Sequence, residues 1–196
     1  MKQLWPAAAL LVVLVAVVSG AFLLRPHDFT GTVIQSPQTA PAFTLTGSTG
    51  DPLNITDFRG KIVVLYFGYT FCPDICPTTM LEIRDAMDLL GRRAEDVQVI
   101  MVSVDPDRDT PDRLDEYVTY FHEDFLGAVG TEEEIAEVAA LYGIYYAANT
   151  DEGDNYTVDH TSSVMALDRE GHMKIVFSPD TQAEALAADL RELLRR

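Results

Sequence analysis

The rhythm of apolar and polar positions changes along the chain, and each change predicts an element. Phe43-Thr-Leu-Thr46 and Leu53-Asn-Ile-Thr56 alternate around a Gly47–Gly50 turn, which predicts a hairpin. Lys61-Ile-Val-Val-Leu-Tyr-Phe67 is an unbroken β-branched and aromatic run, the pattern of a buried strand. Met80, Ile83, Met87 and Leu90 then recur at helical spacing, with Glu82, Arg84, Asp85 and Asp88 between them. Val97 to Val104 is a second buried strand, so strand, helix and strand form a parallel right-handed unit. Thr110 and Pro111 are an N-cap and first helical position for a helix carrying Leu114, Tyr117, Val118 and Phe121. The capping box Thr131-Glu-Glu-Glu134 opens another, with Ile135, Val138, Ala139 and Tyr142 on its apolar face. Ser163–Leu167 and Met173–Phe177 flank a turn at Asp168–Gly171 and predict a second hairpin. A second box, Thr181-Gln-Ala-Glu184, leads into a helix with Leu186, Leu190, Leu193 and Leu194 on one face.

Hairpin, strand, helix, strand, helices, hairpin and helix follow the order of an α/β, thioredoxin-like fold with an N-terminal β-hairpin and a helical insertion. Ahead of it, Leu4 to Leu24 is apolar and uncharged, with Lys2 and Arg25 at its flanks, and is long enough to span a bilayer. A cleaved signal peptide is the competing reading, with Val18-Ser-Gly20 as the cleavage site. No cysteine follows the run, which excludes a lipoprotein anchor there. Pro26 to Pro41 is polar with three prolines and reads as a tether, in which Phe29–Ile34 forms a small strand. The expected organisation is residues 1–26 as one transmembrane helix, 27–40 as tether and 41–196 as a single domain outside the cytoplasm. The 196 residues include 14 basic and 31 acidic side chains, a net charge of −17. That surface disfavours nucleic acid and anionic lipid, and it keeps the domain soluble.

Only two cysteines exist, Cys72 and Cys76, and both sit where the first buried strand turns into the helix. With the first helical turn starting near Cys72, residues four apart would share one face, and two sulfurs would point the same way. Free N–H groups and the helix dipole at that end favour thiolate over thiol. Such a pair closes into a disulfide or grips a soft metal such as Cu(I). It is not a complete structural zinc site, which wants four ligands. A purely stabilising disulfide is the bland alternative, but a loop this short constrains little chain entropy. Among the other candidates, Met80 and Met87 fit the apolar helix stripe. His27, His122 and His172 lie in the tether, at a helix end and in a hairpin turn, where structural roles suffice. Turn and capping roles account for Asp105 to Asp109.

Phe67-Gly-Tyr-Thr-Phe-Cys72-Pro-Asp-Ile-Cys76-Pro resembles the signature of the Sco/SenC family. Val102-Ser-Val-Asp-Pro-Asp-Arg-Asp-Thr-Pro111 and Val158-Asp-His-Thr161 resemble two further segments of that family, in the same order. The resemblance covers roughly residues 40–196, and the N-terminal span resembles the family's membrane anchor. It implies a thioredoxin-fold copper protein that helps build the CuA centre of cytochrome c oxidase, with Cys72, Cys76 and His160 as ligands to Cu(I) or Cu(II). It also implies the oxidase's copper-bearing subunit and other copper chaperones as partners, with the domain on the periplasmic or intermembrane-space face. Two thiolates and an imidazole are a chemically sensible copper set. Asp159 is either an outer orienter of His160 or a solvated loop carboxylate.

Three functions compete: a tethered copper metallochaperone, a thiol–disulfide oxidoreductase that reduces the oxidase subunit's cysteines before loading, and a peroxiredoxin-like peroxidase. Three residues between the cysteines, rather than the two usual in redox thioredoxins, favour the chaperone, as does the match at His160. A peroxidase needs threonine and arginine support around its cysteine, and Thr70 alone is thin.

Overall fold

The two apolar runs lie side by side and in parallel. They are β4 (Ile62–Gly68) and β5 (Val97–Ser103), paired from Ile62↔Val97 to Gly68↔Ser103. Every residue of both is buried, as a strand covered on its two faces requires. Ile62, Val64, Leu65, Tyr66 and Phe67 expose nothing, and each apolar side chain buried to that degree contributes about 1.5–3 kcal/mol. The structure, a computed structural model, describes residues 13–14, 27–35, 37–149, 153 and 156–196. The anchor expected at Leu4–Leu24 therefore lies outside the described residues except for Val13 and Leu14. Among the described residues no helix is long and apolar enough to cross a membrane.

Around that pair the sheet builds to eight strands. Its other members are β1 (Thr32–Val33), β2 (Thr44–Gly47), β3 (Pro52–Asn54), β6 (Leu126–Val129), β9 (Val164–Leu167) and β10 (Met173–Phe177). The order is β1-β10-β9-β4-β5-β6-β2-β3, with β4, β5 and β6 parallel. Both expected hairpins form, as β2–β3 and β9–β10. The apolar pattern does not foresee β6. Leu126-Gly-Ala-Val129 is short and half of it is Gly and Ala, weak strand formers that pairing with β5 and β2 overrides. Among the described residues from 27 on, four α-helices join the sheet: α1 (Ile75–Leu90), α2 (Pro111–Phe121), α3 (Glu132–Tyr142) and α4 (Ala183–Arg195), with α4 packed along α1. A separate two-stranded ribbon, β7 (Tyr146–Ala148) with β8 (Val158–His160), stands outside the main sheet.

The helix starts show where local signals hold. Thr110 Oγ1 accepts from the Arg113 N–H at 3.3 Å, with Pro111 in the first turn. The Thr131–Glu134 box closes both ways, at 2.8 and 3.3 Å. At α4 the expected Thr181–Glu184 box does not form. The helix begins at Ala183, whose N–H donates to Glu82 Oε2 of α1 at 2.7 Å. A carboxylate from the neighbouring helix thus takes the place of a local cap.

The segment read as a tether lies against the fold. Thr32 and Val33 pair with Val176 and Ile175 at the sheet edge. Asp189, fully buried on α4, accepts from the Thr30 and Gly31 N–H groups at 2.9 Å each and lies 2.7 Å from His27 Nε2.

Candidate metal centre

Gly68 ends β4, and a loop from Tyr69 to Asp74 leads into α1. The expectation that both cysteines share a helix face needs correction. The helix begins at Ile75, so only Cys76 is helical, and Cys72 sits in the turn before it. Pro73 and Asp74 separate Cys72 from the helix, and Pro77 is tolerated because it lies in the first turn. The sulfurs still converge: the Cys76 N–H, a free donor of that turn, points at Cys72 Sγ across 3.4 Å. Cys76 is completely buried and Cys72 half-buried, and neither is in a disulfide.

His160 arrives from the other side, as the last residue of β8. Its Nε2 is 3.4 Å from Cys76 Sγ. Its Nδ1 faces the Thr161 carbonyl oxygen at 3.2 Å. A carbonyl only accepts, so the proton belongs on Nδ1, and Nε2 presents its lone pair to the sulfurs. The imidazole is steadied edge-on by Tyr66 and Tyr69, with ring centroids 6.3 and 5.8 Å away. Cys72, Cys76 and His160 each offer one ligand atom within 4.8 Å of the others. All three residues singled out from the sequence are thus brought together. Asp159 is exposed, and the orienting partner of His160 is the Thr161 carbonyl.

The two thiols differ in acidity. A hydrogen bond from Cys76 holds the Cys72 thiolate and lowers its pKa well below that of an ordinary thiol, with the Asp74 and Cys76 N–H groups adding to it. Cys76 moves the other way, because its proton bonds to Cys72 and its site is buried. The pair therefore gives up one proton readily and the second only with difficulty. Close packing explains the glycine before the loop. A Cβ at Gly68 would lie 2.7 Å from Tyr66 Cε1 and 3.1 Å from Cys76 Sγ. The Tyr66 and Thr79 hydroxyls are buried with no hydrogen-bond partner, and burial pushes the Tyr66 pKa up.

The site opens on a cleft of about 410 Å³ lined by Tyr69, Cys72, Asp74, Val158, Asp159 and His160. Its supports were not singled out from the sequence. Thr70 is tied to Asp109, which accepts from its N–H at 3.1 Å and its hydroxyl at 2.5 Å, and from the Ser103 hydroxyl at 2.6 Å. Tyr69 Oη accepts the Val158 N–H at 3.1 Å, joining the cysteine loop to β8. The Asp-Pro-Asp-Arg-Asp run carried the one available signal, several charges crowded beside a buried strand end. His122 and His172 have structural roles, with His172 Nδ1 3.2 Å from Asp168 Oδ2 in the β9–β10 turn. Asp168, Glu170 and His172 also cluster there, but the His172 N–H and Lys174 Nζ already occupy the Asp168 oxygens at 2.7 and 3.2 Å. Met80 and Met87 are core residues.

The sequence model of the SCO1/SenC family matches residues 32–195. A SCO2-like protein of Rickettsia prowazekii is 36% identical over 146 residues, covering 74% of this chain and 71% of the relative. The solution structure of apo Sco1 from Thermus thermophilus is similar at 41% identity and a TM-score of 0.77, covering 85% of this chain and 98% of that one. Bradyrhizobium japonicum ScoI, solved with copper bound, is similar at 35% identity and a TM-score of 0.74, covering 80% and 99%.

Proposed function

The chain belongs to the SCO1/SenC family, and from that premise we propose that it is a membrane-tethered copper metallochaperone, which takes copper on Cys72, Cys76 and His160 and assists maturation of the CuA centre of cytochrome c oxidase. The observation that carries this is the convergence of two sulfurs and an imidazole nitrogen within 4.8 Å, at the edge of an open cleft. Soft thiolates suit Cu(I), and the imidazole extends the set to Cu(II). Copper is the cargo. Cys72, half-buried and held as a thiolate, is the sulfur that meets an incoming or departing ion. Cys76 loses its proton as the metal arrives, which makes uptake pH-dependent. The deprotonated Nε2 of His160 completes the set with no proton to lose. Leu4–Leu24 is the anchor, and residues 27–196 stand on the periplasmic or intermembrane-space side. There they meet a copper donor protein and the copper-bearing subunit of the oxidase.

One observation favours a second activity. Cys72 is an accessible thiolate with a buried thiol beside it, the arrangement of an attacking and a resolving cysteine. The Cys72 thiolate would attack a target disulfide and release one target sulfur, which takes up a proton. Cys76 would then give up its proton and attack Cys72. The products are an oxidised Cys72–Cys76 pair and a fully reduced target.

Copper titration of the reduced full chain, in detergent, separates the readings. The wild type is expected to bind one copper tightly, and the protein oxidised at Cys72–Cys76 to bind none. Cys76→Ser should lose most Cu(I) affinity. His160→Ala should lose the Cu(II) site while keeping thiol–disulfide exchange. Full-strength Cu(I) binding by Cys76→Ser would refute the chaperone site.

A further inference from the structure

His160 rides on a ribbon of two three-residue strands outside the main sheet. An isolated two-stranded ribbon is marginal in water. Its placement over the cysteines therefore depends on contacts from elsewhere, and Arg108 supplies an unusual group of them. Arg108 lies in the turn after β5, with its side chain only 13% exposed. Its Nε donates to Asp105 Oδ2 at 2.6 Å. Its guanidinium carbon lies 3.5 Å from the Tyr156 ring centroid and 4.6 Å from that of Phe71. Tyr156 Oη donates to the other Asp105 oxygen at 2.6 Å, which closes a ring of three side chains. Tyr156 stands just ahead of β8, and Phe71 is the neighbour of Cys72. One guanidinium thus bridges the segment that carries the imidazole and the segment that carries the exposed sulfur.

We propose that Arg108 is a positioning residue of the metal site: stacked on Tyr156 and paired with Asp105, it holds the β7–β8 ribbon so that His160 faces Cys72 and Cys76. The inference rests on the three-ligand copper reading for its consequence, though not for its geometry. A plain salt bridge to Asp105 would leave the face of the Tyr156 ring uncovered, with only its hydroxyl held by Asp105. The flat guanidinium stacks where an ammonium would not, so the role is specific to Arg. The aromatic contact is also strong because it is largely desolvated. Arg108 acts on the metal only through His160.

The test uses the reduced full chain as wild type, Arg108→Ala, His160→Ala and the double variant. Cu(I) affinity is measured against a chromophoric competitor. Arg108→Ala is expected to weaken binding about tenfold, as losing an outer support of a ligand does. On top of His160→Ala it should change affinity less than about twofold, because the ligand it positions is gone. An equal loss in both backgrounds would overturn the inference. Wild-type affinity for His160→Ala would instead overturn the three-ligand site. A metal-free readout decides the positioning claim in that case. Amide exchange at residues 156–161 should accelerate about tenfold in Arg108→Ala while β4 and β5 stay protected; unchanged exchange at 156–161 would sink the claim. Arg108→Lys keeps the charge toward Asp105 without the flat stack, and it carries the same measurements if the alanine variant fails to fold. It is expected to behave like Arg108→Ala, and wild-type values for it would refute the stacking role.

Discussion

Replacing Asp109 with Ala removes the acceptor for three donors at once: the Thr70 N–H, the Thr70 hydroxyl and the Ser103 hydroxyl. Asp109 is 2% exposed, so water does not readily take its place. Each hydrogen bond to a charged acceptor contributes about 1.5–3 kcal/mol, but two of these donors are hydroxyls that can rotate toward other partners. The Thr70 N–H cannot. Against the loss stands relief of a buried charge, whose cost shows in the raised pKa of Asp109. The net expectation is a destabilisation of about 3 kcal/mol for Asp109→Ala. Asp109→Asn keeps the shape and one acceptor oxygen and should cost about 1 kcal/mol. The pH dependence adds a second signature. With its folded pKa raised above the ordinary 3.8, Asp109 binds its proton more tightly in the native state. Its contribution to stability therefore falls as pH rises through the window above that value, and Asp109→Asn should flatten this slope. Urea unfolding followed by circular dichroism is the assay, because the single tryptophan, Trp5, lies outside the described residues and outside the family match at 32–195. An Asp109→Ala protein within about 0.5 kcal/mol of wild type, or an Asn variant as unstable as the Ala one, would refute the reasoning.

Alkylation of reduced protein should modify Cys72 first and stay fast below pH 7, because hydrogen bonding from Cys76 holds Cys72 as a thiolate; a rate midpoint near that of an ordinary thiol would contradict this. Asp189→Ala should free the chain before β1, since three partners from residues 27–31 converge on that buried carboxylate. Limited proteolysis should then cut within 27–33 where the wild type resists, and an uncut segment would show that β1 pairing alone holds it.

Much of the scaffold is legible because its signals are local. The parallel pair β4–β5 announces itself by unbroken β-branched runs, and α2 and α3 by caps whose hydrogen bonds the structure reproduces. What escapes is decided by distant partners. β6 is a strand because β5 and β2 flank it. α4 starts at Ala183 because Glu82 is there to cap it, although Thr181 and Glu184 spell a box.

The candidate site divides along the same line. Cys72, Cys76 and His160 stand out by chemistry and motif, whereas what holds each of them in place differs and is written nowhere in their own neighbourhood. Cys76 is fixed by α1, whose Met80, Ile83 and Met87 are locked in the core, so moving its sulfur means unpacking a helix. Cys72 hangs on a turn whose neighbour Thr70 is tied to Asp109, more than thirty positions along the chain. His160 belongs to a small ribbon steadied through Tyr69, Tyr156 and Arg108. The freedom of the three candidate ligands therefore rises from Cys76 to Cys72 to His160, following the buried contact behind each. A set graded in this way can open at the imidazole while the deep sulfur stays in place, which is what the proposed hand-over of copper requires.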